Sequence, residues 1–333
     1  MGVYQAGLLA PLAVGPILGG IFSQTLGWRA IFWFLTIYGA AFLVALIFLL
    51  PETLRSLVGN GSIPARGLAR TPISCFQARR HPASHPPLQR SISTASTSKR
   101  LAVDFLGPIY IICSIEVTFI MIFLAIYYTV WQMTITVMST LFERTYGLSQ
   151  IEIGLTFIAN GVGSIVGTLT TGKFLDFDYS RCKKSFTGEI ADFPLEKARL
   201  RTIWLWSGLE IASALVFGWT LDFNVHISVP VICTFVMGWS ATSIISVVTT
   251  FLVDIYPKKS ASATAAVNLI RCLMGAGGTA AVLPIVNGIG VGWTFTTLVG
   301  IMVVSLGMLL FQMTQGSKQR KIREQKEMSR SSI

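Results

Sequence analysis

The chain has 333 residues, of which 52% are hydrophobic and 12% charged, with a mean hydropathy of +0.65. Soluble domains carry about 25% charged residues, so this composition excludes an ordinary water-soluble domain and points to an integral membrane protein. A net charge of +11 would suit a nucleic-acid partner, but the basic residues are placed as membrane topology requires, and no nucleic-acid partner is expected.

Apolar segments of about 20 residues predict membrane-crossing helices, here at 3–23, 30–50, 115–141, 150–172, 202–221, 228–253, 261–286 and 294–314. The first contains Gly15-Pro16-Ile17-Leu18-Gly19-Gly20. A proline inside a helix removes a backbone hydrogen bond and bends the helix, and membrane helices tolerate this because their neighbours repair the loss. Gly15 and Gly19 lie one turn apart, a spacing that lets two helices pack backbone to backbone. Met1 leads straight into this segment, without the basic n-region of a signal peptide. After the second span, residues 56–100 are rich in Ser, Pro, Arg and Gly and read as a flexible cytoplasmic linker. The third span is set to begin at Glu116, although the apolar stretch starts at Phe105. The last two spans are parted by the turn signal Asn287-Gly288-Ile289-Gly290.

Lysine and arginine fall almost wholly in alternate gaps. Eight lie in 51–104, seven in 173–201, two at Lys258 and Lys259, and six after Gly316, whereas only Arg29, Arg144 and Arg271 lie elsewhere. Cytoplasmic loops carry the excess of basic residues, so the linker and the C-terminus are expected inside. The five cysteines (Cys75, Cys113, Cys182, Cys233, Cys272) have no paired spacing and read as free thiols. His81, His85 and His226 are too scattered for a metal site. Nucleotide-binding and nucleophile-elbow motifs are missing from the sequence, so neither an enzyme nor a cofactor is expected.

An internal echo sets the plan. The Gly-rich first helix turns through Gly27-Trp28 into a helix opening Ile31-Phe32; the Gly-rich seventh, with Gly275, Gly277 and Gly278, turns through Gly292-Trp293 into one holding Phe295. Two such hairpins of one orientation predict parallel halves of six helices, related by an axis along the membrane normal. On that plan the segments are helices 5–12. The first four are expected to be absent, giving an all-α membrane fold cut to about eight spans. The divisions are then 1–54 for helices 5 and 6, 55–104 for the linker, 105–316 for helices 7–12, and 317–333 for a basic tail.

Candidate functional residues are the polar groups inside spans, because an intramembrane charge is costly and usually faces a cavity. Arg271 lies about ten residues into the seventh span, and Thr264, Asn268, Arg271 and Gly275 share one face at helical spacing. It reads either as a substrate-anion, proton-coupling or gating residue, or as a structural arginine satisfying carbonyls or a carboxylate. Glu210, mid-span with Ser207, Ser213 and Ala214 on its face, reads either as a proton site or as a protonated packing residue. Ser240, Ser243, Thr250 and Asp254 resemble a wetted face, with Asp254 at the cytoplasmic interface. Thr156, Asn160, Gly163 and Gly167 make a polar, small stripe. Tyr127, Trp131, Thr134 and Met138 run down one face of the third span. For these stripes packing and cavity lining remain open alternatives.

Gly2, Gly15-Pro16 and Gly19-Gly20 resemble the fifth-helix antiporter motif of the drug:proton antiporters in the major facilitator superfamily, with Pro11 where the motif has a glycine. Gly27-Trp28-Arg29, Pro51-Glu52-Thr53-Leu54-Arg55, Tyr146-Gly147-Leu148-Ser149, Asn160-Gly161-Val162-Gly163, Leu195 to Arg201 and Asn268-Leu269-Ile270-Arg271 are similar to its fungal twelve-helix group, especially the quinidine-resistance branch. The resemblance implies proton-driven export of drugs or small organic metabolites by alternating access. Arg271, Asn268, Asn160, Trp131, Tyr127 and Ser243 would lie on the pathway ahead of Glu210. Gly172 with Asp176 would form a cytoplasmic gating loop, although Phe177 stands where the family often has Arg. It implies a multi-pass protein of the plasma rather than the vacuolar membrane, whose partners are a small organic substrate, protons and the bilayer. Without helices one to four, transport by these residues is expected to be impaired. A non-transporting paralogue or regulatory subunit, and a proton-symport importer of sugars or acids, are the competing readings.

Overall fold

The computed structural model describes residues 2–50, 107–185, 199–256 and 259–331. The motif at Pro51–Arg55 and the linker to residue 104 lie outside the described residues. Those described form nine helices: α1 (Gly2–Thr25), α2 (Trp28–Leu49), α3 (Gly107–Ile112), α4 (Ile115–Tyr146), α5 (Gln150–Ser185), α6 (Ile203–Asp222), α7 (Ser228–Ile255), α8 (Ser260–Ile289) and α9 (Val291–Ser331). Seven of them, α2 and α4 to α9, are long and apolar enough to cross a membrane. The first span is helical as expected, with Pro11 and Pro16 inside its 24 residues.

Helix boundaries depart from expectation where breakers are weak. The stretch from Phe105 is interrupted at Ser114, whose extended backbone (φ −80°, ψ 110°) parts α3 from α4. Its carbonyl accepts the N–H groups of Val117 and Thr118. Asn287 and Gly288 do not end α8, which runs to Ile289. Gly290 alone makes the turn, at φ 84° and ψ 164°. Gly27 before α2 has nearly the same conformation, φ 80° and ψ 161°, in a region open essentially to glycine. The echo between hairpins therefore pairs Gly27 with Gly290. Gly292, the expected counterpart, sits inside α9 with its bare Cα against the Trp219 ring.

The α4–α5 corner follows from four residues. Gly147 takes the left-handed conformation (φ 65°) and its N–H returns to the Glu143 carbonyl, closing α4. Ser149 then starts α5: its N–H and hydroxyl both donate to Glu152 Oε2, at 2.8 and 2.9 Å. The Glu152 N–H donates to Ser149 Oγ at 3.4 Å. This reciprocal pair is a capping box.

The chain divides into two compact units, Met1–Ile21 with Asp104–Ile333, and Phe22–Val103. In the larger, α4 is central and touches α5 to α9, while α7 packs most extensively on α5 and α6. Phe123, Tyr127, Phe142, Phe217, Phe251 and Phe295 are among its largest fully buried side chains. Two α1 residues close-pack in this unit. The bare Cα of Gly20 faces the Gln150 carbonyl, and that of Gly154 faces the Pro16 carbonyl. Gly15 and Gly19, expected to form the packing face, meet open space. The contact instead uses the face one residue, or about 100°, further round, at Pro16 and Gly20. In the smaller unit no residue of α2 is buried; Phe22 packs on Phe34 with ring centroids 4.9 Å apart, and Arg29 lies 4.6 Å over the Trp28 ring.

Candidate functional site

The tightest helix pair is α5 with α7, built on absent side chains. Gly163 lies against the Phe235 carbonyl, Gly167 against Trp239 and Thr242, and Gly238 against Asn160. Small residues let membrane helices approach to backbone contact, where hydroxyls reach carbonyls. Ser164 Oγ donates to Asn160 O at 2.9 Å, and Thr242 Oγ1 lies 3.2 Å from Ser164 O on the facing helix. Ser243 Oγ donates to Trp239 O at 2.7 Å and lies 3.5 Å from Gly167 O. Ser240 bonds to Val236 O on its own helix. Ser240 and Ser243 are therefore not a wetted face. Both are fully buried, because each hydroxyl is satisfied by a carbonyl one turn back and needs no water. Asp254, expected at the helix end, accepts the Arg199 Nε–H at 2.9 Å.

At the edge of this seam Asn160 is 1% exposed. Its Oδ1 accepts the Trp131 Nε1–H at 3.0 Å across from α4, while its Nδ2 has no hydrogen-bond partner. A buried polar group stripped of its partner costs about 1–3 kcal/mol. Trp131→Phe is expected to destabilise the protein by about that much, read as earlier thermal unfolding in detergent. Adding Asn160→Leu should cost less than the sum of the single changes, since the two share one bond.

The face Tyr127, Trp131, Thr134 and Met138 forms on α4 as spaced, and all four are buried. Tyr127 points into the bundle, beside Ser207, Glu210 and Ser305. Tyr128, which the stripe omits, is the residue that meets Arg271: the guanidinium carbon lies 4.6 Å from the centre of its ring. Gly275, four residues beyond Arg271, makes room for that ring, whose Cε1 lies 3.1 Å from where a Cβ would stand. Arg271 Nε is buried without a hydrogen-bond partner. Asn268 and Cys272 beside it are exposed. Tyr128 and Trp131 touch edge to face, 5.8 Å between centroids, so α4 joins Arg271 on α8 to Asn160 on α5.

This arrangement offers a cationic, partly desolvated guanidinium on an aromatic face, linked through the Tyr128 and Trp131 rings to a buried amide with a spare donor. Such a set can receive an anionic or carbonyl-bearing compound. Gly172 and Asp176 take no part in it and are not in a loop. Both lie within α5, which runs without a proline to Ser185. Gly2 lies in the first turn of α1. Among the described residues no group of His, Cys, Asp and Glu could hold a metal. An apolar groove of about 270 Å³, lined by Leu215, Val216, Trp219, Thr220, Phe223 and Val225, contains none of the expected residues.

Residues 1–279 match the Major Facilitator Superfamily. Citrate exporter 1 of Aspergillus niger is 32% identical over 339 residues, covering 98% of this chain and 63% of the exporter. MFS-type transporter R5 of a Phoma species is 32% identical over 332 residues, covering 96% of this chain and 62% of its own length. MFS antiporter QDR2 of Candida albicans is 32% identical over 308 residues, covering 87% and 59%. The chain thus spans less than two thirds of the length of each of these relatives. The match across most of its length, the all-helical architecture and the membrane-crossing helices agree: the chain belongs to the major facilitator superfamily of membrane transporters.

Proposed function

We propose that this protein serves proton-coupled export of small organic compounds by alternating access, in the manner of the fungal drug:proton antiporters, with Arg271 receiving an acidic group of the cargo. The observation that carries this reading is the guanidinium of Arg271 held over Tyr128 inside a membrane-crossing helix, with Nε lacking a partner. Asn268 flanks it, and Trp131 and Asn160 continue the polar line along α4 and α5. Relatives named as a citrate exporter and as an antiporter support both the export direction and the anionic cargo. The Pro16–Gly20 contact with the start of α5 is where α1 would move against that helix as the path opens to alternate sides. Ser243 and Glu210 flank the path from within the packed bundle, and Gly172 and Asp176 would act at its cytoplasmic end, in the plasma membrane.

Cys272 offers a test that needs no transport, because it is an exposed free thiol next in sequence to Arg271. A bound carboxylate such as citrate should slow maleimide alkylation of Cys272 several-fold, leaving Cys113 unaffected, as read by mass spectrometry of the two peptides. Arg271→Ala should remove the protection. Equal alkylation with and without tested organic acids and drugs would overturn the assignment of Arg271 as the cargo site.

A further inference from the structure

Glu210 lies mid-way along α6, fully buried, and neither carboxyl oxygen has a hydrogen-bond partner. Ser207, one turn earlier, is also fully buried with an unpartnered hydroxyl. Tyr127 of α4 and Ser305 of α9 complete the surroundings, both 1% exposed or less. Their own bonds are elsewhere or weak: Ser305 Oγ donates to Met302 O at 2.7 Å, and the Tyr127 hydroxyl reaches Met302 O only at 3.5 Å.

No cation faces this carboxyl from the helices packed against α6. The described side chains of α9 include no ionisable group, α7 contributes Cys233 and Asp254, and Asp254 is paired with Arg199 at the helix end. On α4 the neighbouring ionisable group is Tyr127; Tyr128 faces Arg271, and Glu143, Arg144 and Tyr146 lie in the last turn. A carboxylate in such a place would be an uncompensated buried charge, which costs several kcal/mol, whereas a neutral acid costs far less.

We propose that Glu210 is a proton-binding site inside the bundle, whose occupied, neutral form lets α6 close against α4 and α9. Release passes the proton from the carboxyl oxygen to water and leaves a carboxylate that the closed packing cannot hold. Proton loss and parting of these helices are therefore linked, each favouring the other. Tyr127 and Tyr128 are successive residues of α4, so the helix that senses Glu210 also carries the ring beneath Arg271. The proposal rests on the proton-coupled reading above for its purpose, but its test reads the proton and not the flux.

The experiment is infrared spectroscopy of the full chain in lipid vesicles, from acid to alkaline buffer. A protonated-carboxyl carbonyl band is expected that disappears in Glu210→Gln while the amide bands of the helices stay unchanged. The wild-type band should fade as the buffer is made alkaline, and should shift in frequency in Tyr127→Phe, which a carboxyl elsewhere would not do. A band that survives Glu210→Gln, or that keeps its intensity at every pH, overturns the proposal. Efflux indifferent to a pH gradient, with an intact pH-sensitive band, would discard the coupled-export reading and leave the proton site standing.

Discussion

Arg271→Ala is expected to lower export of an acidic cargo by about 10- to 100-fold, the kinetic equivalent of losing a charge-assisted hydrogen bond of about 1.5–3 kcal/mol. Helix content and detergent behaviour should be unchanged, because α8 keeps its other buried contacts, through Ala263, Ala266, Val267, Val282 and Val286. Arg271→Lys should recover only part of the rate. Lysine keeps the charge but loses the planar group that lies on the Tyr128 ring and can grip a carboxylate with two parallel bonds. A purely structural arginine would give the reverse pattern, with early unfolding and a normal rate for what remains folded. Export by vesicles carrying matched amounts of folded protein separates the two.

The second large effect concerns the α5–α7 seam. Gly163→Leu and Gly238→Leu each place a Cβ into a facing backbone carbonyl, of Phe235 and of Asn160. A flexible side chain could give way, but a helix backbone cannot, so the helices must separate along their length. Overpacking ordinarily costs about 1–3 kcal/mol, and backbone collision with loss of the hydroxyl bonds across the seam should exceed it. Since folded proteins hold only about 5–15 kcal/mol in reserve, each variant is expected to aggregate on extraction, seen as loss of the monodisperse peak in size-exclusion chromatography. Gly172→Leu is the control: nothing lies within 4 Å of its added Cβ, and its stability should change by no more than about 0.5 kcal/mol.

The contrast between these glycines shows what sequence reading reached and what it could not. Hydropathy located the crossings because a membrane demands about 20 apolar residues whatever the packing. It could not tell Gly163, in the seam, from Gly172 on the same helix, because both are merely small. Gly15 and Gly19 had the spacing of a packing pair, yet the face used is that of Pro16 and Gly20, a rotation that only the neighbouring helix decides. Loop boundaries failed for a related reason. Gly172, Asn287 and Gly288 are weak helix breakers, and inside a bundle the backbone bonds of a continued helix outweigh their preference for turns.

Arg271 was legible because charge inside an apolar run is rare. Its partner was not, since Tyr128 and Tyr127 are equally apolar-compatible neighbours that point to different helices. The serines of α7 left packing and cavity lining open, because hydroxyls bonded to their own helix are silent in the sequence about whether water or another helix lies beyond them. Glu210 was marked as either a proton carrier or a packing acid. The surroundings of Tyr127, Ser207 and Ser305, without a cation, are what give the first of these a specific test.

Coupled export is tested most directly by placing the reconstituted chain in vesicles loaded with a labelled organic acid and imposing a pH gradient of either sign. Efflux above that of empty vesicles, rising when protons can run inward against it, collapsing with a protonophore and falling by about 10- to 100-fold in Arg271→Ala, is the predicted result. Efflux that is the same for both gradients, or that Arg271→Ala leaves untouched, would contradict it.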